Sequence, residues 1–124
     1  MTFQPKVRED SENLIRRTTS LSDWQTRLSH TADKFVGKRR IGWRAVIDNN
    51  KKLGKFRLYN VTVDVVVGAE QCVKANDRKE RVNVGGWNYV IFTGVAKVFE
   101  IQWCDDAGKY PQGIQDAHIY VDEE

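Results

Sequence analysis

SLSDWQTRLSHTADKFVG, residues 20–37, is the stretch on which the fold class turns. Ser20 stands three residues before Asp23, a spacing that resembles a capping box and puts a carboxylate in a first helical turn. Leu21, Trp24, Leu28, Ala32 and Phe35 then recur at intervals of three and four, the spacing that gathers side chains on one stripe of a helix. Gly37 is a C-terminal stop, and Lys38, Arg39 and Arg40 place positive charge at the negative end of the dipole. These signals predict a helix from Leu21 to Val36.

Outward from that stretch the period falls to two. Ile41, Trp43, Ala45 and Ile47 alternate with Gly42, Arg44 and Val46, and Asp48 to Gly54 reads as a hairpin loop. Tyr59, Val61, Val63, Val65 and Val67 alternate with mostly polar neighbours, as in an antiparallel sheet with one wet face. A short strand at 72–75 follows Gly68, and Gly85-Gly86 forms a joint beside Trp87. The run from Asn88 to Cys104 is β-prone and broken at Gly94, so it reads as two strands or one bent strand. Ala117 to Asp122 is a last edge strand. The expected fold is α+β: an N-terminal amphipathic helix packed on a five- to six-stranded antiparallel meander sheet, with Trp24, Trp43 and Phe99 at the centre of the packing.

A chain of 124 residues fits one domain, read here as a partly flexible basic arm over 1–19, the helix over 20–36 and the sheet over 40–122. The opening residues lack the apolar core of a signal peptide, and no run approaches the ~18 apolar residues of a membrane span. An intracellular, cytoplasmic protein is expected. Cys72 and Cys104 have no CxxC spacing, so they read as reduced, partly buried thiols.

His30 and His118 have no nucleophile or metal ligand at a diagnostic spacing, and no P-loop, GxSxG, HExxH or GxGxxG is present. Asp105-Asp106 reads as a solvated turn. A non-enzymatic protein without a cofactor is therefore expected, with no catalytic or metal-binding residues; a small enzyme using a cleft near His118 is the outlying alternative.

Charge is the stronger signal. Residues 1–60 hold 14 Lys/Arg against 6 Asp/Glu, a balance of +8, whereas residues 61–124 hold 6 against 11, a balance of −5. Arg16, Arg17, Arg27, Lys34, Lys38, Arg39, Arg40, Lys51, Lys52, Lys55 and Arg57 come from elements that adjoin if the helix packs on the sheet, which would make one patch for an anionic polymer or surface. Nucleic acid or ribonucleoprotein is the favoured partner, and an anionic membrane the alternative. The opposed halves also suit contact between copies in a homo-oligomer. Trp43, Phe56, Tyr59, Trp87, Tyr89 and Phe92 lie within reach of the basic loop as possible stacking rings. Strand aromatics are more often core, and Trp87 is the expected exception.

Two stretches resemble rhabdovirus matrix proteins. The first is Ser22-Asp23 opening the expected helix, Ser29-His30 within it and Gly37-Lys38-Arg39 leading into a strand; the second is Trp87-Asn88 and Phe92-Thr93-Gly94 with the alternating strand ending at Asp105-Asp106. Together they span roughly half of the chain. The resemblance implies a self-associating viral structural protein that condenses a ribonucleoprotein and bridges it to membrane. A proline-rich motif before the helix and a long segment after the last strand, both features of that family, are missing here. The expected function is thus structural, engaging an anionic partner through the basic N-terminal half, with a single-stranded nucleic-acid-binding module as the alternative.

Overall fold

The computed structural model describes residues 8–33, 35–48, 53–74 and 82–122, and among these it contains nine β-strands and no helix. The strands are β1 (Arg8–Asn13), β2 (Arg17–Thr19), β3 (Gln25–Ala32), β4 (Val36–Asp48), β5 (Leu53–Asn60), β6 (Val65–Lys74), β7 (Val82–Thr93), β8 (Lys97–Asp105) and β9 (Gln112–Asp122). They form two antiparallel sheets, sheet A in the order β1-β9-β4-β7 and sheet B in the order β3-β8-β5-β6. β2 also pairs with β9, so β1 and β2 act as one interrupted edge strand. Counting them together, the two orders are those of a jelly roll. Only β5 and β6 are joined as a hairpin; every other connection after β2 crosses between the sheets.

The expected α+β fold is therefore corrected to an all-β sandwich, and the helix over 20–36 is absent. Gln25–Ala32 instead pairs with β8 from Gln25↔Trp103 to Ala32↔Lys97, with a bulge between Thr26 and Leu28. The bulge puts one extra residue into the strand, so a period of two comes to look like spacings of three and four. The supposed stripe is dispersed accordingly: Leu21 is exposed, Trp24 is half-buried, and Ala32 and Phe35 enter the core. Thr, Ser, His and Trp are modest helix formers, and pairing along a whole neighbouring strand outweighs that weak preference.

The meander is corrected too. β4 and β5 do not pair, since β4 belongs to sheet A and β5 to sheet B, and most of the loop expected between them, 49–52, lies outside the described residues. The single strand expected through Val61 is interrupted by a turn over 61–64, where Asp64 adopts φ +59°. The strand expected to start at Ala117 begins at Gln112 and lies between β1 and β4 rather than at an edge. The break at Gly94 is present, separating β7 in one sheet from β8 in the other.

Alternation fills one core between the sheets. β4 contributes Ile41, Trp43, Ala45 and Ile47, β9 contributes Ile114, Ile119 and Val121, and β5 and β8 supply Phe56, Leu58, Phe99 and Ile101 from the other side. Trp43 and Phe99 are central as expected, whereas Trp24 packs outside. Polar side chains close the two seams. At β6–β7 the Gln71 amide donates to the Gly85 carbonyl at 2.6 Å and accepts from the Gly85 N–H at 3.2 Å, completing pairing that the strands do not make. At β1–β3, Ser11 Oγ lies 2.7 Å from His30 Nδ1, and buried Arg27 donates to the carbonyls of Asn13 and Ile15.

Candidate nucleic-acid interface

Because Ile41, Trp43 and Ala45 point inward, Lys38, Arg40, Gly42 and Arg44 of β4 face outward from sheet A. Register sets their neighbours. On β7, Lys38 faces Ile91, Arg40 faces Tyr89 and Gly42 faces Trp87. On β9, Arg40 faces Asp122, Gly42 faces Tyr120 and Arg44 faces His118. Trp87, Tyr89 and Ile91 are 56%, 42% and 70% exposed, a continuous apolar row on the outside of a sheet. Contiguous apolar surface of this kind marks an interaction site more often than an isolated exposed residue does.

The rings are ordered by cations. Trp87 and Tyr89 pack edge to face with centroids 5.5 Å apart. Lys38 Nζ lies 4.3 Å from the Tyr89 centroid, and the Arg40 guanidinium lies 5.9 Å from that of Trp87. Arg40 is bonded to Asp122 at 2.9 Å, and that hydrogen bond lifts its pKa above the ordinary arginine value. Tyr120 lies across Gly42: a Cβ there would fall 2.0 Å from its Cζ, so glycine is what lets this ring rest on the strand.

The other expected basic residues do not join this face. Arg16 and Arg17 are exposed on the β1–β2 side of the sheet, and Arg27 is buried at the rim. Its pKa is lowered, first by burial and then by Arg17, with Asp116 opposing. Arg39 points inward over the Phe35 ring at 5.7 Å. On the outside of sheet B, Lys55 pairs with Asp106 at 3.1 Å. Arg57 lies against the rings of Trp24 and Tyr59 at 4.0 and 4.3 Å, bonds Gln102 at 2.9 Å and approaches Glu70 at 3.7 Å. Lys34, Lys51 and Lys52 lie outside the described residues. Of the expected set, the fold thus gathers Lys38, Arg40 and Trp87. Tyr89, weighed above as a possible stacking ring but expected in the core, and Tyr120, which no site reading had included, stand with them; the period-two spacing of Trp87, Tyr89 and Ile91 was the available signal.

Two further expectations change. Asp105 is not solvated but fully buried, accepting from the backbone N–H groups of Lys109 and Tyr110 and from the Gln112 amide at 2.8, 2.9 and 2.8 Å. Burial raises its pKa, but these hydrogen bonds outweigh it and hold the carboxyl below the usual range. Cys104 is buried, whereas Cys72 is exposed.

Among the described residues no helix is long and apolar enough to cross a membrane. No protein-family model matches the chain, and no curated protein matches it.

Proposed function

We propose that this chain is a non-enzymatic structural protein, of viral matrix type, that self-associates and binds single-stranded nucleic acid on the outer face of sheet A. The single observation that carries the binding role is the exposed Trp87–Tyr89 pair with Lys38 and Arg40 beside the rings. Single-stranded chains are held by stacking of bases on aromatic faces together with cations that track the phosphates. A duplex offers no such unstacked bases. The structural role rests on the resemblance of two segments to rhabdovirus matrix proteins, of which the first loses the helix it was read with and the second keeps its strand into Asp105. One fold hosts many functions, so the face and not the fold supports the choice of ligand.

Tryptophan fluorescence titrated with a uridine tract over a salt series tests this reading. Trp43 and Trp103 are buried and Trp24 half-buried, so quenching should come mainly from Trp87. Trp87→Ala should abolish most of the quenching and weaken binding by about tenfold, in line with roughly 1–3 kcal/mol per stacked base. Replacing Lys38 and Arg40 with alanine should reduce the slope of log K against log salt by about 1.4, two phosphates at ~0.7 each. Binding that survives Trp87→Ala with its quenching intact would refute the proposal.

A further inference from the structure

Next to the aromatic row the same face carries a groove of different chemistry. Glu12 of β1, His118 of β9 and Arg44 of β4 are register partners in one line across the sheet, and Asp10, Tyr120 and Gly42 form the adjacent line. Between these lines lies a groove of about 440 Å³ lined by Asp10, Glu12, Arg44, His118, Ile119 and Tyr120. That volume falls in the range of small-molecule sites, roughly 300–1,000 Å³. Glu12 Oε2 lies 3.2 Å from His118 Nδ1, which orients the carboxylate. Arg44 on β4 is exposed.

We infer that this groove is a guanine-selective base subsite at one end of the single-strand path, an inference that rests on the nucleic-acid reading above. A guanidinium on one side and a carboxylate on the other match a ligand with acceptors on one edge and donors on another, and the Tyr120 ring favours a planar one. Guanine has both: O6 and N7 accept, as in its bidentate pairing with arginine, while N1–H and the N2 amine donate to a carboxylate. Adenine would turn a donor amine toward arginine or an acceptor N1 toward a carboxylate. The pyrimidines mix donors and acceptors along a single edge. A bare phosphate would meet the Glu12 carboxylate as well as Arg44. The Tyr120 ring, laid over Gly42, is a stacking surface, and the β7 partner of Gly42 is Trp87. The groove therefore borders the platform, with β9 and β7 two strand spacings apart, about 10 Å.

The test compares a labelled uridine tract with the same tract carrying one guanosine or one adenosine, in the unaltered protein, Glu12→Gln and Arg44→Ala. GMP and AMP titrated alone, followed by NMR, give a second measurement. Guanosine should tighten binding about tenfold and adenosine less than twofold, since one bidentate base contact discriminates on that scale. Both variants should lose the guanosine gain, and Glu12→Gln should retain affinity for the uridine tract. Equal binding of all three tracts overturns the subsite and leaves the platform standing. A guanosine gain that survives both substitutions overturns its location. Failure of every tract to bind, with no shift on adding GMP, overturns both readings.

Discussion

Asp105→Ala should be among the most damaging single substitutions in this protein. The carboxylate is fully buried at the end of β8, where its own N–H donates to the Leu21 carbonyl at 2.8 Å and the following N–H donates to Leu53 at 3.1 Å. The β2–β3 connection, the start of β5 and the β8–β9 loop therefore meet at this residue. Alanine leaves the Lys109 and Tyr110 N–H groups and the Gln112 amide without the acceptor they share. Hydrogen bonds to a charged group contribute about 1.5–3 kcal/mol each, and part of the loss is recovered because water reaches the loop edge, so a net cost of about 3–5 kcal/mol is expected. That is a large share of a total stability of roughly 5–15 kcal/mol. Because the folded-state pKa is depressed, this contribution is complete above the unfolded carboxylate value, near 3.9, and is lost as pH falls through the folded value. Urea unfolding followed by intrinsic fluorescence should show the full gap between unaltered protein and variant at about pH 7 and a shrinking gap below about pH 4. A gap below about 1 kcal/mol at neutral pH, or one that stays constant on acidification, would refute the reasoning.

Gln71→Ala should cost about 1–3 kcal/mol in the same assay, because the two hydrogen bonds to Gly85 stand in for backbone pairing between β6 and β7. Hydrogen exchange at the amides of β6 and β7 should accelerate while that of β4 and β9 is unchanged; uniform acceleration would mean the seam has no local role. In thiol labelling, Cys72 should react at once and Cys104 only on unfolding, since Cys104 is buried and its pKa is raised by that burial despite Lys55 and Arg57 nearby. Equal labelling rates in the native protein would contradict that assignment.

Which parts of the fold were legible follows from the range of the interactions involved. Ile41, Trp43, Ala45 and Ile47 alternate along the chain, and their inward face could be read directly. The break at Gly94 was visible for a similar reason, as its φ of +85° suits glycine. Residues 25–32 misled because the bulge at Thr26/Leu28 shifts the alternation by one residue, and only the partner strand β8 accounts for that shift. For the candidate site, Trp87 stood out by its place after two glycines, but which of the candidate rings and cations would lie beside it could not be read. Tyr120 and Arg44 come from strands far apart in the chain and meet this face only through the register of β4 with β7 and β9.

By itself the sequence determined that most of the chain is β-prone with one wet face, that its charges are segregated between the two halves, and that Trp43 and Phe99 belong inside. These properties depend on neighbours two to four residues apart or on composition alone. Tertiary structure decided the strand order, the absence of a helix among the described residues, and the division of the basic residues into paired, buried and face-forming groups. A strand's side chains declare which two faces they occupy, but not which strands will lie beside them. Pairing between residues tens of positions apart therefore placed Lys38 and Arg40 beside exposed rings on sheet A, and Arg57 against Trp24, Tyr59 and Gln102 on sheet B.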